Sequence, residues 1–93
     1  FAFAPVAIAR DAKGMAALVR DAQGQIMLIK RHGNRFAGRV LGPAARAAIW
    51  PDSGHITLAV VCGEPRFGEV VLDLSDPDSW ADAINALNTA HNA

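Results

Sequence analysis

The chain has 93 residues, 52% hydrophobic and 19% charged, with nine Lys and Arg balancing nine Asp and Glu. That length holds one core, and the composition excludes a disordered segment. A lone cysteine, Cys62, excludes an intramolecular disulfide framework. The longest apolar runs, Ile26 to Ile29 and Thr57 to Cys62, fall far short of the roughly 18 to 20 residues of a membrane-spanning helix.

Charge is segregated along the chain. Residues 1 to 46 carry eight Lys and Arg against Asp11 and Asp21, a local net of +6, and residues 47 to 93 carry Arg66 against seven acids, a local net of −6. The expectation is that the two halves neutralise each other across the fold.

Residues 1 to 5 lack an initiator Met and a basic n-region, and read as a linker or a processed N-terminus. From there, short runs of Val, Ile, Leu and Ala bounded by Gly, Asp, Asn and Pro predict strands. They fall at about Val6 to Arg10, Met15 to Arg20, Gln25 to Arg31, Arg35 to Leu41, Ala45 to Trp50, His55 to Cys62 and Glu69 to Leu74. Arg10-Asp-Ala-Lys-Gly14 and Arg20-Asp-Ala-Gln-Gly24 are near copies, each with Asp placed to cap a turn and Gly where φ must be positive. The links between strands are too short for crossover helices, so the expected topology is a seven-stranded antiparallel meander.

Ser75-Asp-Pro-Asp78 marks a helix start, with Asp76 at the N-cap, Pro77 at the first helical position and Asp78 favoured by the helix dipole. The helix is expected to reach about Ala90. Trp80, Ala83, Ile84 and Leu87 form its apolar face, and Asp82, Asn85, Asn88 and Thr89 are expected on the solvent side.

Seven antiparallel strands followed by one amphipathic helix carrying Trp80, Ala83, Ile84 and Leu87 resemble the pleckstrin-homology superfold, and its compact bacterial members in particular. The resemblance covers about residues 6 to 90, with 91 to 93 as a tail. It implies a partly open barrel capped by the helix, and a non-enzymatic binding domain of a larger bacterial protein. A cytoplasmic setting is favoured, with export or a membrane-tethered parent as alternatives. The stretch Ala17 to Arg31 also resembles the opening hairpin of Nudix hydrolases, whose catalytic box needs several Glu on a following helix. This chain has no Glu before Glu64, which removes that activity.

Five basic residues, Lys30, Arg31, His32, Arg35 and Arg39, bracket the turn at Gly33 and Asn34, and would hold a phosphate by charge-assisted hydrogen bonds if they converge. The pleckstrin resemblance implies an anionic headgroup or ligand for such a hairpin. Solvated charges guarding strand ends are the competing reading. A nucleic-acid track needs more exposed aromatics and a basic pI, and the sequence pI is near 7.0. His32, His55 and His91 lack metal-ligand spacing, Asp52 and His55 form the one close acid and imidazole pair, and Ser53 and Ser75 read as turn and cap residues. Asp73, Asp76, Asp78 and Asp82 fit no calcium loop. No cofactor, metal or catalytic group is therefore expected.

Open sheet edges remain, and they point to protein partners or self-association. The leading expectation is a binding or assembly module acting through a sheet edge, with Glu64, Arg66 and Phe67 on the loop 63 to 68 as anchors. Anion binding through the basic hairpin is the second.

Overall fold

The computed structural model describes residues 4–52 and 54–92. Its elements are β1 (Pro5–Arg10), β2 (Ala16–Asp21), β3 (Ile26–His32), β4 (Arg35–Val40), β5 (Arg46–Asp52), β6 (His55–Val61), β7 (Glu69–Leu72) and α1 (Pro77–Asn92). All eight stand where the pattern of apolar runs and turn residues places them, within two residues at each end. Every ladder is antiparallel, and the strands form a four-stranded sheet, β1-β2-β3-β4, and a three-stranded sheet, β5-β6-β7. No ladder joins the sheets among the described residues, so they stack as open layers and do not close into a barrel.

Alternation decides which side chains form the core. Leu18 lies opposite Leu28, and Leu58 opposite Leu72; these four, with Ile26, Val60 and Ile84, are fully buried. The same cluster takes in Ala16, Leu41, Phe67, Val70, Leu74 and Ala81. The helix packs mainly on β5 and β6, with Ala81 and Ile84 buried and Trp80, Ala83 and Leu87 partly buried against the core.

The two near-copy turns use Asp alike, with one difference. The Asp21 Oδ1 accepts from the Gln23 and Gln25 amides, and the Gly24 amide donates to the Asp21 carbonyl. In the earlier turn the Asp11 Oδ2 accepts from the Met15 amide, and the Gly14 amide donates to the Asp11 carbonyl. Gly14 and Gly24 have φ of 72° and 86°, as such turns require. Asp11 keeps its other oxygen for a distant partner: Oδ1 accepts from the Asp73 amide at 2.8 Å, and the Ala12 amide returns a bond to the Asp73 carbonyl at 3.0 Å. The β1–β2 turn thus extends the three-stranded sheet just beyond β7.

The opposite edge of that sheet is closed by the helix. The Asn85 Oδ1 accepts from the Ala47 amide at 3.0 Å while its Nδ2 donates to the Ala47 carbonyl at 2.8 Å, so the side-chain amide occupies the place of a neighbouring strand. One turn on, the Asn88 Nδ2 donates to the Pro43 carbonyl. Asn85 is exposed and Asn88 half-buried, as helical periodicity places them; what periodicity does not show is that their amides bond the β5 edge and the Pro43 carbonyl.

Replacing the buried Asp11 by Ala takes the acceptor from the part-buried bonds to the Asp73 and Met15 amides and is expected to cost about 1–3 kcal/mol. Asp11→Asn keeps one acceptor oxygen and should lose less. Urea unfolding checks this: the midpoint should fall in that order with the slope unchanged.

Candidate functional site

The register separates the five basic residues. His32 pairs with Arg35, Lys30 with Ala37 and Leu28 with Arg39, which puts His32, Lys30, Arg35 and Arg39 on the core side of the four-stranded sheet. Arg31 pairs with Phe36 and projects from the opposite face. Alternation thus separates Arg31 from the other four.

Two of these cations are already engaged. The Lys30 Nζ donates to the Phe67 carbonyl and stands 4.6 Å from the centre of the Phe67 ring; the Arg39 guanidinium stands 5.0 Å from the same centre. Such cation–π contacts are worth about 0.5–1 kcal/mol at exposed sites and more when desolvated. Arg39 also directs Nε to both Glu64 carboxylate oxygens, at 3.0 and 3.1 Å, and Nη1 to the Gly38 carbonyl. The Arg31 Nε donates to the Gly33 carbonyl within the turn. Lys30 and Arg39 therefore clamp the 63 to 68 loop onto β3 and β4.

That clamp corrects part of the expected protein-contact set. Phe67 is 5% exposed and belongs to the core, so it offers no anchor to a partner. Glu64 is held by Arg39, and Arg66 remains exposed. Beside them an open depression of about 290 Å³ is lined by Val61, Gly63, Glu64, Pro65, Gly68 and Glu69. The side chains of His55 and His91, and Ser53 as a whole, lie outside the described residues. No group of three or more metal-ligating side chains occurs among the described residues.

What the sequence reading missed is the outer face of the four-stranded sheet. Ile8, Val19, Met27 and Val40 form one cross-strand row, and Arg10, Ala17, Ile29 and Gly38 the next, with Phe36 and Arg31 beyond. Phe36 is 64% exposed, Ile8 49% and Val40 44%, and no helix lies over them. The signal was present: Val6 to Ala9, Met15 to Val19 and Ile26 to Ile29 are unbroken apolar runs. Strands covered on both faces read that way, whereas a strand wetted on one face alternates. The outer face of the three-stranded sheet, with Arg46, Ala48, Trp50, Thr57, Ala59, Val61, Glu69 and Val71, also carries exposed apolar side chains, Trp50 at 57% and Val71 at 46%, between the charges of Arg46 and Glu69.

The edges of the four-stranded sheet also differ from those of its companion. The two-residue turn at Gly33-Asn34 makes His32 and Arg35 a hydrogen-bonded pair, so Phe36, Gly38 and Val40 turn their amides and carbonyls outward on β4. There the Arg39 guanidinium covers the Gly38 carbonyl. On β1 the bond from the Asp11 amide to the Ala16 carbonyl sets the phase, and Ile8 and Arg10 face outward. No charged side chain stands along Val6 to Ala9. A cleft of about 190 Å³ opens beneath this edge, between β1, β2 and the start of α1, lined by Ala7, Arg20, Asp76, Ser79, Trp80 and Ala83.

No protein-family model, characterised protein or solved structure matches the chain.

The clamp is structural, which gives a graded expectation. Phe67→Ala should cost about 3–5 kcal/mol as a core truncation. Arg39→Ala breaks a half-exposed ion pair and should cost at most about 1 kcal/mol, a loss that shrinks in molar salt. Thermal melts of both variants at two salt concentrations check the contrast.

Proposed function

We propose that this chain is a non-enzymatic binding and assembly module of pleckstrin-like architecture, working by protein contacts made through its four-stranded sheet. Four strands, three strands and a C-terminal helix in that order support the architectural part. The observation that carries the functional part is an asymmetry between the sheets. The three-stranded sheet has a group of this chain docked at one point on each side, Asn85 on Ala47 of β5 and Asp11 with Ala12 on Asp73 just beyond β7. The four-stranded sheet leaves the outward groups of β1 unpaired among the described residues and carries exposed Ile8, Phe36 and Val40. Edges and apolar faces left bare by an otherwise carefully closed chain are where strand addition and face packing take place.

Anion binding through the basic hairpin is the second reading. Lys30 and Arg39 are spent on the 63 to 68 loop and Arg31 points away from Arg35, so the phosphate site would rest on His32 and Arg35.

Vesicle co-sedimentation separates the two readings. With phosphatidylglycerol vesicles in low salt, the chain is expected to remain in the supernatant. Binding that vanishes in high salt and in a His32→Ala, Arg35→Ala double variant would replace the protein-contact reading with the anionic one.

A further inference from the structure

We propose that the occupant of the bare outer face is a second copy of this chain, the two four-stranded sheets packing face to face in a two-fold dimer. The inference rests on the reading of the chain as an assembly module and names its partner.

The first argument is the pattern of the strands. Val19, on the outer face, is already 92% removed from solvent by its own sheet, whereas its row-mates Ile8 and Val40 stay half exposed, so the row has a packed centre and open flanks. A second sheet laid about 10 Å above, the usual spacing of stacked sheets, completes the burial of both flanks. The β4 side of the face is also shallow and soft: Gly38 has no side chain, and the Met27 sulfur lies 3.3 Å from where its Cβ would stand, so a flexible thioether lies over that flank of the contact.

The second argument is size. Four strands about 4.8 Å apart and six residues long at about 3.3 Å each present a face of roughly 19 by 20 Å. Two such faces, with side-chain relief and the flanking Val6 and Met15, come to the roughly 1,000 Å² at which a specific contact begins. The expected product is a weak, concentration-dependent dimer.

The third argument is charge. The face carries Arg10 and Arg31 at one end and no acid in its two central rows. A two-fold axis in the plane of the contact and perpendicular to the strands sets the basic end of each copy over the end where Asp21 follows Val19 on the same face, so no like charges meet. The formal net charge of zero adds no long-range repulsion between copies.

The test is sedimentation velocity over a hundredfold range of concentration, with Ile8→Glu and Phe36→Glu as face variants and Val71→Glu as the matched control on the other sheet. The expected result is a dimer in the wild type and in Val71→Glu, with the dissociation constant raised at least tenfold by either face variant. Arg10→Pro, which removes an outward β1 amide and leaves the apolar rows intact, should leave the dimer in place. Association abolished by Arg10→Pro and unaffected by the face variants would overturn the face-to-face dimer in favour of edge pairing, with the assembly reading intact. A wild-type chain that is monomeric throughout overturns the dimer as well, whereas vesicle binding would overturn the assembly reading itself. A wild-type measurement guards against misfolded variants: the methyl resonances of Met15 and Met27, the chain's two methionines, should both shift as dilution dissociates the dimer. Resonances that stay fixed across the transition would place the contact elsewhere.

Discussion

One carboxylate joins the two halves of this molecule. Asp11 closes its own β-turn with one oxygen and holds the Asp73 amide with the other, across 62 residues of chain. Asp21 occupies the equivalent place in the following turn and spends its Oδ1 on local amides alone. The same five-residue motif thus serves once as a turn and once as a clasp. What separates the two is position: the first turn lies over the end of β7, where a free backbone amide needs an acceptor. Because the sheets share no ladder, this clasp, the Lys30 and Arg39 clamp on Phe67 and the common apolar core are what hold them in register.

The polar closures explain why function is sought on one sheet. Backbone groups at a sheet edge must find partners, and here the smaller sheet receives them from an asparagine on the helix and from a turn. The β4 edge is guarded by a guanidinium on the Gly38 carbonyl. Edge β1 has Pro5 and a register shift at one end and Arg10 at the other, and no side chain among the described residues bonds the outward groups of Ile8 between them. Two of the five hairpin cations, Lys30 and Arg39, seat the 63 to 68 loop.

Much of the fold was legible because its signals are local. Asp-x-x-Gly turns fix hairpins, Pro77 after Asp76 fixes a helix start, and alternation in β6 and β7 fixes the inward residues. The site was less legible. Lys30 and Arg39 are separated by nine residues and meet at Phe67, which comes from a loop 28 residues further on, so no spacing rule connects them. Asn85 and Asn88 read as solvent residues because helical periodicity reports which face is apolar and is silent on how a flank meets a neighbouring edge.

The sequence by itself determined the number, order and antiparallel pairing of the strands and the position of the helix, since turn chemistry and apolar periodicity act between residues close in the chain. It also carried the unbroken apolar runs of β1, β2 and β3, which put apolar side chains on both faces of those strands. Tertiary structure alone decided how the strands divide into two sheets, which turn became a clasp, which cations were consumed and which apolar face was left bare. Those outcomes depend on how sheets and helix are oriented against one another, and that orientation is set by packing a shared core from both ends of the chain.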